Sequence, residues 1–600
     1  MTAPQPDTAA SPQWRDFYGQ DRFLLLSGLA IVIGVISSIG AYVLLMAIRF
    51  FTNLFFFQSL SFVARSPADN QLGAWVIIVP AIGGLIAGLA ARYGTEKIRG
   101  HGIPEAIEAI LYGKSRMSPK VAMLKPVVSG IVIGSGGPFG AEGPVIVTGG
   151  AAASLLAQAV SLTSVERKAL LVAGACAGMT AVFGTPVAAV LFAVELMLFE
   201  LRPRSLLPVA IACAVAGFLR PLWYESGPLF PMTTSEPTAI AIVSAIAAGL
   251  ACGALSTVVT RLYHWIEDGF ARLPIHWMWW PALGGLVVGI GGYFQPRALG
   301  VGYDVIGDLL ANNLVLATAA SLVIVKAIIW AVALGSNTSG GTLAPLMTMG
   351  AGLGVVIGRW LPGADIQLWV LVCLAATMAG TLGAPLMSIV FAFGLTHDAN
   401  AILPLLLGCI VAYAFTVIVM PHSILTEKIV RRGRRIYREY GVDPLEQSFI
   451  ADVMTREVKA IEAQLPIADV IDRYFGSSQS QRAYPVQQDG RLLAMVERAD
   501  FLNLDAALLA QPVASLIAAP TEAFALPAET LRMVASRMAA LDIERLPVID
   551  APETRRLVGI VSRSDLVKPR RAAYEEESQR ERFFLTSARW PRPGARDADE

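Results

Sequence analysis

Charged side chains are scarce in this sequence: 16% of its 600 residues are Asp, Glu, Lys or Arg, against 55% hydrophobic. A chain this long and this apolar is no single soluble domain and is largely a membrane protein. The formal net charge of +1 leaves no global field to attract nucleic acid, which is not expected as a partner. Only five cysteines occur, Cys176, Cys213, Cys252, Cys373 and Cys409, all in apolar runs. Their spacing fits neither a metal site nor a disulfide framework, so they read as small buried residues and no metal is expected. The first twenty residues lack a basic start, a short apolar core and a cleavage site, which predicts no cleaved secretory signal. The apolar segments also lack HExxH, a Ser/Lys pair or paired aspartates, so an intramembrane enzyme with Glu142 as general base would have no partner groups. An enzyme is not expected.

What the chain does have is glycine at two special places. The run GSGGPFGAEGP, Gly134 to Pro144, has six Gly or Ser among its eleven residues and is flanked by apolar sequence on both sides. It reads as a break between helices, since glycine there would weaken a continuous one. Backbone that leaves its helical bonds at membrane depth is tolerated only when packed in protein or lining a wet cavity. Glu142 stands at the restart, two residues before Pro144, where proline suits a first helical turn. Unpaired amides and a helix dipole of roughly half a positive charge make such a restart an anion site. A carboxylate placed there imitates an anion.

A second copy, GSNTSGGTLAP from Gly335 to Pro345, follows at a constant separation of 201 residues from the first. The same separation pairs Pro80 with Pro281, Gly83 and Gly84 with Gly284 and Gly285, and Lys125 with Lys326. Gly100 and Gly102 pair with Gly300 and Gly302 at 200, and Gly184–Pro186 with Gly383–Pro385 at 199. The chain therefore contains two related halves, about 75–200 and 275–395, with interrupted apolar segments at corresponding places. That pattern points to an internally repeated channel or transporter with its site where the breaks meet. Before them, Phe23 to Phe57 is almost wholly apolar and longer than the roughly 20 residues a bilayer core needs, which predicts a long tilted helix.

After His422 the composition changes. Lys428, Arg431, Arg432, Arg434, Arg435 and Arg438 crowd beside the last apolar segment, which by the positive-inside rule places this end in the cytoplasm. A basic face lying on lipid headgroups fits the same topology. From about Phe449 the chain reads as soluble, with an internal repeat: Tyr484 to Leu502 matches Leu546 to Val567, and Asp500 is equivalent to Asp565. Beyond Arg570 the sequence is charged and without apolar periodicity, a composition that predicts disorder.

GHGIPE (Gly100 to Glu105), GSGGPFGAEGP, FGTPVAAVLFAVE (Phe183 to Glu195) and GGTLAP (Gly340 to Pro345), in this order, resemble the CLC chloride channels and chloride/proton antiporters. The soluble repeats resemble a tandem CBS pair. The resemblance implies an all-α polytopic membrane domain of two inverted repeats of broken, tilted helices, followed by a cytoplasmic α/β CBS pair. The implied organisation is an N-terminal cytoplasmic segment (1–20), a membrane domain (21–425), a basic linker (426–448), the CBS pair (449–570) and a disordered tail (571–600). It further implies a voltage-gated type of anion transporter in the lipid bilayer, a homodimer with one pathway per subunit, and chloride or a similar small anion as the permeant species. A bacterial inner (plasma) membrane is the expected setting. Chloride in this family is held mostly by backbone amides and hydroxyls, which puts the anion site at His101, Gly102, Ile103, Pro104, Gly140, Glu142, Gly143, Thr342 and Leu343. Glu142 matches the gating glutamate.

Several positions depart from the family pattern. His101 stands where serine commonly coordinates chloride; one reading has its imidazole donate to the anion, the other leaves the binding to the amides around Gly102 and Ile103. Ala141 replaces an arginine often found before the gating glutamate. Thr342 and Leu343 exchange aliphatic and aromatic positions for others. Met420, Pro421 and His422 offer no match to the pore tyrosine. Where antiporters carry two consecutive acids, the second an inner proton relay, this chain has Glu195 and Leu196. Leucine carries no proton, which favours channel-like conduction over a chloride/proton antiporter, with Glu200 one turn on as the candidate substitute. In the CBS pair, Gly559, Ser562 and Asp565 fit an adenine-nucleotide site, whereas Ala494 and Glu497 do not, so at most one competent site is expected, beside the reading of a dimerisation module that binds nothing. No other cofactor is expected. A CBS-containing cation transporter is the remote alternative, disfavoured because one buried acid accompanies two glycine-rich helix starts.

Overall fold

The computed structural model describes residues 22–433 and 444–568, apart from 477, 478, 480, 503 and 506. The expected N-terminal segment, the tail from 571 and Arg434, Arg435 and Arg438 lie outside the described residues. The chain divides into a helical unit and a smaller α/β unit that begins at Glu439.

The helical unit opens with α1 (Phe23–Phe57), 35 residues and so about 50 Å long, well beyond a hydrocarbon core of about 30 Å. The first half follows as α2 (Val79–Tyr93), α3 (Ile103–Leu111), α4 (Pro119–Gly134), α5 (Glu142–Gln158), α6 (Ser164–Phe183) and α7 (Pro186–Phe192), which continues π-helically to Leu198. Two further helices, α8 (Pro203–Leu219) and α9 (Ala241–Ala271), lead to the second half. That half comprises α10 (Trp280–Phe294), α11 (Tyr303–Leu310), α12 (Leu316–Gly335), α13 (Leu343–Ile357), α14 (Ile366–Met378, π-helical to Gly383) and α15 (Pro385–Thr396). The unit ends with α16 (Ile402–Val419) and α17 (Ile424–Arg431). Among the described residues, eight helices are long and apolar enough to cross a membrane.

The halves meet reciprocally. A Cβ on Gly84 would lie 2.1 Å from the Pro281 carbonyl, and one on Gly285 2.3 Å from the Pro80 carbonyl, so α2 and α10 cross where neither tolerates a side chain. The Gly100 amide donates to the Asn337 carbonyl and the Gly300 amide to the Gly136 carbonyl, each at 3.1 Å. Gly140 and Gly341 form a two-residue antiparallel bridge across the breaks. Exchange of partners at every pair is the mark of a two-fold axis between the halves, which is the inverted repeat implied by the sequence.

The α/β unit contains α18 (Pro444–Gln447), α19 (Ile450–Val453), β1 (Ile461–Glu462), α20 (Ile467–Phe475), β2 (Ala483–Gln488), β3 (Arg491–Glu497), α21 (Leu531–Ala540), β4 (Arg545–Ile549) and β5 (Leu557–Ser562). The sheets match: β1 runs parallel to β2, which pairs antiparallel with β3, while β4 pairs antiparallel with β5 and a parallel bridge joins Ala525 to Val548. Each sheet covers its own apolar core. The second core also takes Ile450 and Val453 from α19, which precedes the first repeat in sequence.

Candidate functional site

The site is built where helices stop. α4 ends at Gly134 and α12 at Gly335, and in both loops the chain folds back on the preceding turn, with Gly137 donating to the Val132 carbonyl and Thr338 to the Ala333 carbonyl. The Gly140–Gly341 bridge then ties the loops together, with Gly341 donating to Gly140 at 2.9 Å and Gly140 to Gly341 at 3.3 Å. Directly after the bridge, α5 starts at Glu142 and α13 at Leu343, both fully buried.

The Glu142 carboxylate is folded over the bridge. A Cβ on Gly140 would lie 1.6 Å from Oε2 and one on Gly341 2.7 Å from it, so both glycines are needed for the carboxylate to rest there. Oε1 accepts a hydrogen bond from the Tyr303 hydroxyl at 3.2 Å, while Oε2 is buried and makes no close hydrogen bond among the described residues, with the backbone of Glu142 and Ala344 near the carboxylate. Lys326 lies within electrostatic reach of the carboxylate. On the other side, Gly143 packs against the His101 backbone, 2.4 Å separating its missing Cβ from the His101 carbonyl.

His101, Gly102, Ile103 and Pro104 lead into α3 and are all buried. Gly102 takes a φ of +86° immediately before the helix, and its counterpart Gly302 takes +79° before α11. That left-handed geometry is open to glycine at little steric cost and turns each chain sharply into its helix. Both ring nitrogens of His101 and the Thr342 hydroxyl are buried without partners among the described residues. With Glu142 Oε2 they make a set of unsatisfied polar atoms around the breaks, the pattern of a site that takes a polar guest.

Two buried lysines hold the frame. Lys125 donates to the Ile98 and Gly100 carbonyls at 2.8 and 2.7 Å, and Lys326 to the Ala298 and Gly300 carbonyls at 2.9 and 3.0 Å. The four acceptors correspond pairwise in the two halves. Each lysine fixes the segment of chain that enters α3 or α11.

Tyr303 is a site residue that sequence reasoning missed. Its signal was present, because it follows Gly302 as Ile103 follows Gly102. Its ring meets Phe183 edge-on at 6.0 Å. The segment Met420–His422, where no pore tyrosine was found, lies past the end of α16 with Pro421 and His422 exposed. Leu196 is fully buried in the π-helical end of α7. Beside it, Glu195 accepts the Leu386 and Met387 amides at 3.1 and 2.8 Å and so caps the first turn of α15. Glu200 accepts from Ser205 at 2.8 Å and pairs with Lys168 and Arg202 at 3.7 and 3.6 Å, so its charge is compensated where it stands.

A cavity of about 770 Å³ opens beside α3, with Glu105, Glu108, Val147, Lys428 and Arg432 on its walls. Three of the basic residues after His422 meet acids of the helical unit here. Lys428 pairs with Glu105 at 3.1 Å, Arg432 with Glu105 at 3.9 Å and with Glu108, and Arg431 with Asp268 at 2.6 Å. The first part of the expected linker is thus helix α17, bound by ion pairs to α3 and α9.

The family model described as voltage gated chloride channel matches residues 82–417, and the CBS domain model matches 450–507 and 519–570. The chain belongs to the CLC family. A voltage-gated ClC-type chloride channel, ClcB, from Citrobacter koseri is 30% identical over 390 residues, covering 63% of this chain and 89% of the relative. Among solved structures, a slow cyanobacterial Cl-/H+ antiporter superposes with a TM-score of 0.62 at 20% identity, over 69% of this chain and 99% of that one. A eukaryotic CLC transporter gives 0.60 at 18% identity, over 90% and 98%. These two share the fold of this chain, the second over a length that reaches into the α/β unit.

In the CBS pair, Asp565 Oδ2 accepts the Ser562 amide at 2.8 Å and its hydroxyl at 2.6 Å, and Oδ1 pairs with Lys568 at 2.6 Å. Asp500 accepts the Glu497 amide at 2.7 Å in the same way, which is the structural counterpart of the sequence repeat. Gly559 lies against Met454, whose sulfur would sit 2.8 Å from an added Cβ. The residues expected to meet a nucleotide are therefore adjacent, and two of them bind each other.

Proposed function

We propose that this CLC protein carries chloride, or a similar small anion, across a bilayer and that the Glu142 carboxylate is its gate. The observation that carries the reading is the seat of that carboxylate, over Gly140 and Gly341 at the start of α5, with one oxygen bound by Tyr303 and the other without a close hydrogen bond among the described residues. An acid in this place occupies a position built for an anion, and its withdrawal would open the position to a permeant ion. His101, Gly102, Ile103, Pro104, Gly143, Thr342 and Leu343 form the proposed remainder of the anion site, with Lys125 and Lys326 holding the segments that enter α3 and α11.

Conduction is proposed to be channel-like. Leu196 supplies no inner proton site, Glu195 is engaged at the start of α15, and Glu200 is ion-paired. Proton-coupled exchange is the second reading, favoured by the fold shared with a structure titled as a Cl-/H+ antiporter. Further proposals are a homodimer with one pathway per subunit, a bacterial inner membrane as the setting, a cytoplasmic CBS pair, and at most one adenine-nucleotide site, at Gly559, Ser562 and Asp565. Nucleotide binding would require Asp565 to exchange its present partners.

The test is chloride efflux from liposomes carrying a potassium gradient, started with valinomycin, with external pH recorded at the same time. Channel-like conduction predicts efflux without stoichiometric proton movement. Proton uptake in fixed ratio to chloride would establish exchange, and absence of efflux would remove the reading of anion transport.

A further inference from the structure

The end of α8 carries a second set of unpartnered donors. Arg220, 6% exposed, follows α8 and uses one terminal nitrogen to hold the Glu225 and Gly227 carbonyls at 3.2 and 3.0 Å. Among the described residues its Nε is buried and unpartnered, as are Trp223 Nε1 and Tyr224 Oη. The three belong to one cluster: the Arg220 guanidinium lies 5.8 Å from the Tyr224 ring, and Tyr42 stacks on Trp223 at 4.9 Å and meets Tyr224 at 6.5 Å. Arg49 of α1 lies within electrostatic reach of Tyr224. Among the described residues neither Arg49 nor Arg220 has a carboxylate partner, and Glu225 is exposed and gives Arg220 only its carbonyl.

Buried donors without acceptors cost about 1–3 kcal/mol each. Three in one place, one of them on the Arg220 guanidinium and with the Arg49 guanidinium near by, favour an acceptor that carries negative charge over a cation. The cluster is also joined to the gate. Arg220 Nε would stand 3.0 Å from a Cβ on Gly184, so the guanidinium packs where a side chain at 184 would be. The next residue back, Phe183, packs on Tyr303, which binds Glu142. α6 and α8 both start on the side of the molecule where Lys168 meets Glu200, and Gly184 and Arg220 close their opposite ends.

We infer that Arg220, Trp223 and Tyr224, assisted by Arg49, form an anion-receiving site for a halide-sized monovalent ion, ahead of the Glu142 gate on the face at the C-terminal ends of α6 and α8. It restores on another helix the attraction absent at Ala141. This inference rests on the anion-transport reading and deepens it. The ion would exchange part of its hydration for the Arg220 Nε–H, the Trp223 N–H and the Tyr224 O–H.

Two measurements test it. Crystals of the full-length protein grown in sodium bromide should show an anomalous bromide peak within hydrogen-bond distance of Trp223 Nε1 and Tyr224 Oη; water alone at that place would overturn the site, whatever the protein transports. In planar bilayers, Trp223→Phe with Tyr224→Phe leaves an aromatic ring at each position and removes both donors. The half-saturating chloride concentration on this face should rise about tenfold, with the opposite face and the maximal current unchanged. An unchanged half-saturation, or an equal change on both faces, would overturn it. Tyr224→Phe alone and Arg49→Gln are the independent variants should the double variant not assemble, each with a smaller shift of the same sign. Wild-type protein that binds bromide here yet conducts nothing would count against the transport reading and leave the site standing.

Discussion

The Tyr303 hydroxyl donates to Glu142 Oε1 across 3.2 Å and so joins the first turn of α11 to the first turn of α5. The two residues are 161 positions apart and come from opposite halves of the repeat. A single hydroxyl thus holds the proposed gate from the half that does not carry it.

Tyr303→Phe removes this bond and keeps the ring on Phe183. A hydrogen bond to a charged group contributes about 1.5–3 kcal/mol, so release of Glu142 should favour the open state by roughly tenfold or more. Chloride current at fixed voltage should rise in the variant, and an unchanged current would show that the hydroxyl does not restrain the carboxylate.

Gly140→Ala places a methyl group 1.6 Å from where Glu142 Oε2 rests. The carboxylate has to leave, and current should lose its dependence on Glu142. In the Glu142→Ala background the same substitution meets no carboxylate, so its effect on current should shrink to near zero. Equal effects in both backgrounds would assign the glycine to backbone packing alone.

Lys125→Met and Lys326→Met each strip two buried carbonyls of their donor, at equivalent places in the halves. Leaving buried acceptors unpaired costs about 1–3 kcal/mol apiece, so each variant should lower the midpoint of thermal unfolding in detergent by several degrees. The two losses should be similar. A loss confined to one lysine would mean that the second bonds are not worth what the geometry suggests.

Burial alone would raise the Asp565 carboxyl, but the bonds from Lys568 and Ser562 outweigh it and hold the group below its ordinary range. A depressed folded-state value means that the stabilisation is fully present above the unfolded value of about 3.9 and is lost as pH falls through the folded one. Hydrogen exchange in the segment 557–567 of the full-length protein should therefore gain nothing from Asp565→Asn at strongly acidic pH and accelerate with it near neutrality. Equal exchange in both proteins at neutral pH would remove the cap from the account.

Much of this architecture is legible in the sequence because its signals are local or periodic. Phe23–Phe57 is a helix over the expected range, and the breaks at Gly134 and Gly335 end α4 and α12. α3, α11 and α17 were not among the expected elements. They are eight or nine residues long and carry acids or bases on one face, so a search for apolar spans passes over them. The pairing of Lys428 and Arg432 with α3 depends on residues more than 300 positions away, which no local pattern encodes. Glu200 was open as a proton site because sequence shows its distance from Leu196 and not its ion pairs with Lys168 and Arg202. Tyr303 was hidden by its chemistry: its counterpart Ile103 is apolar, and only the fold brings the hydroxyl to Glu142.

The central claim is that the carboxylate of Glu142 is the gate. Its most direct test is the pH dependence of chloride efflux from liposomes for the wild type and Glu142→Gln, measured on protein that elutes as the same oligomer. The account predicts efflux that increases as pH is lowered in the wild type and is flat across pH in the variant, because a neutral amide cannot be protonated off its seat. The same pH profile in both proteins would contradict it.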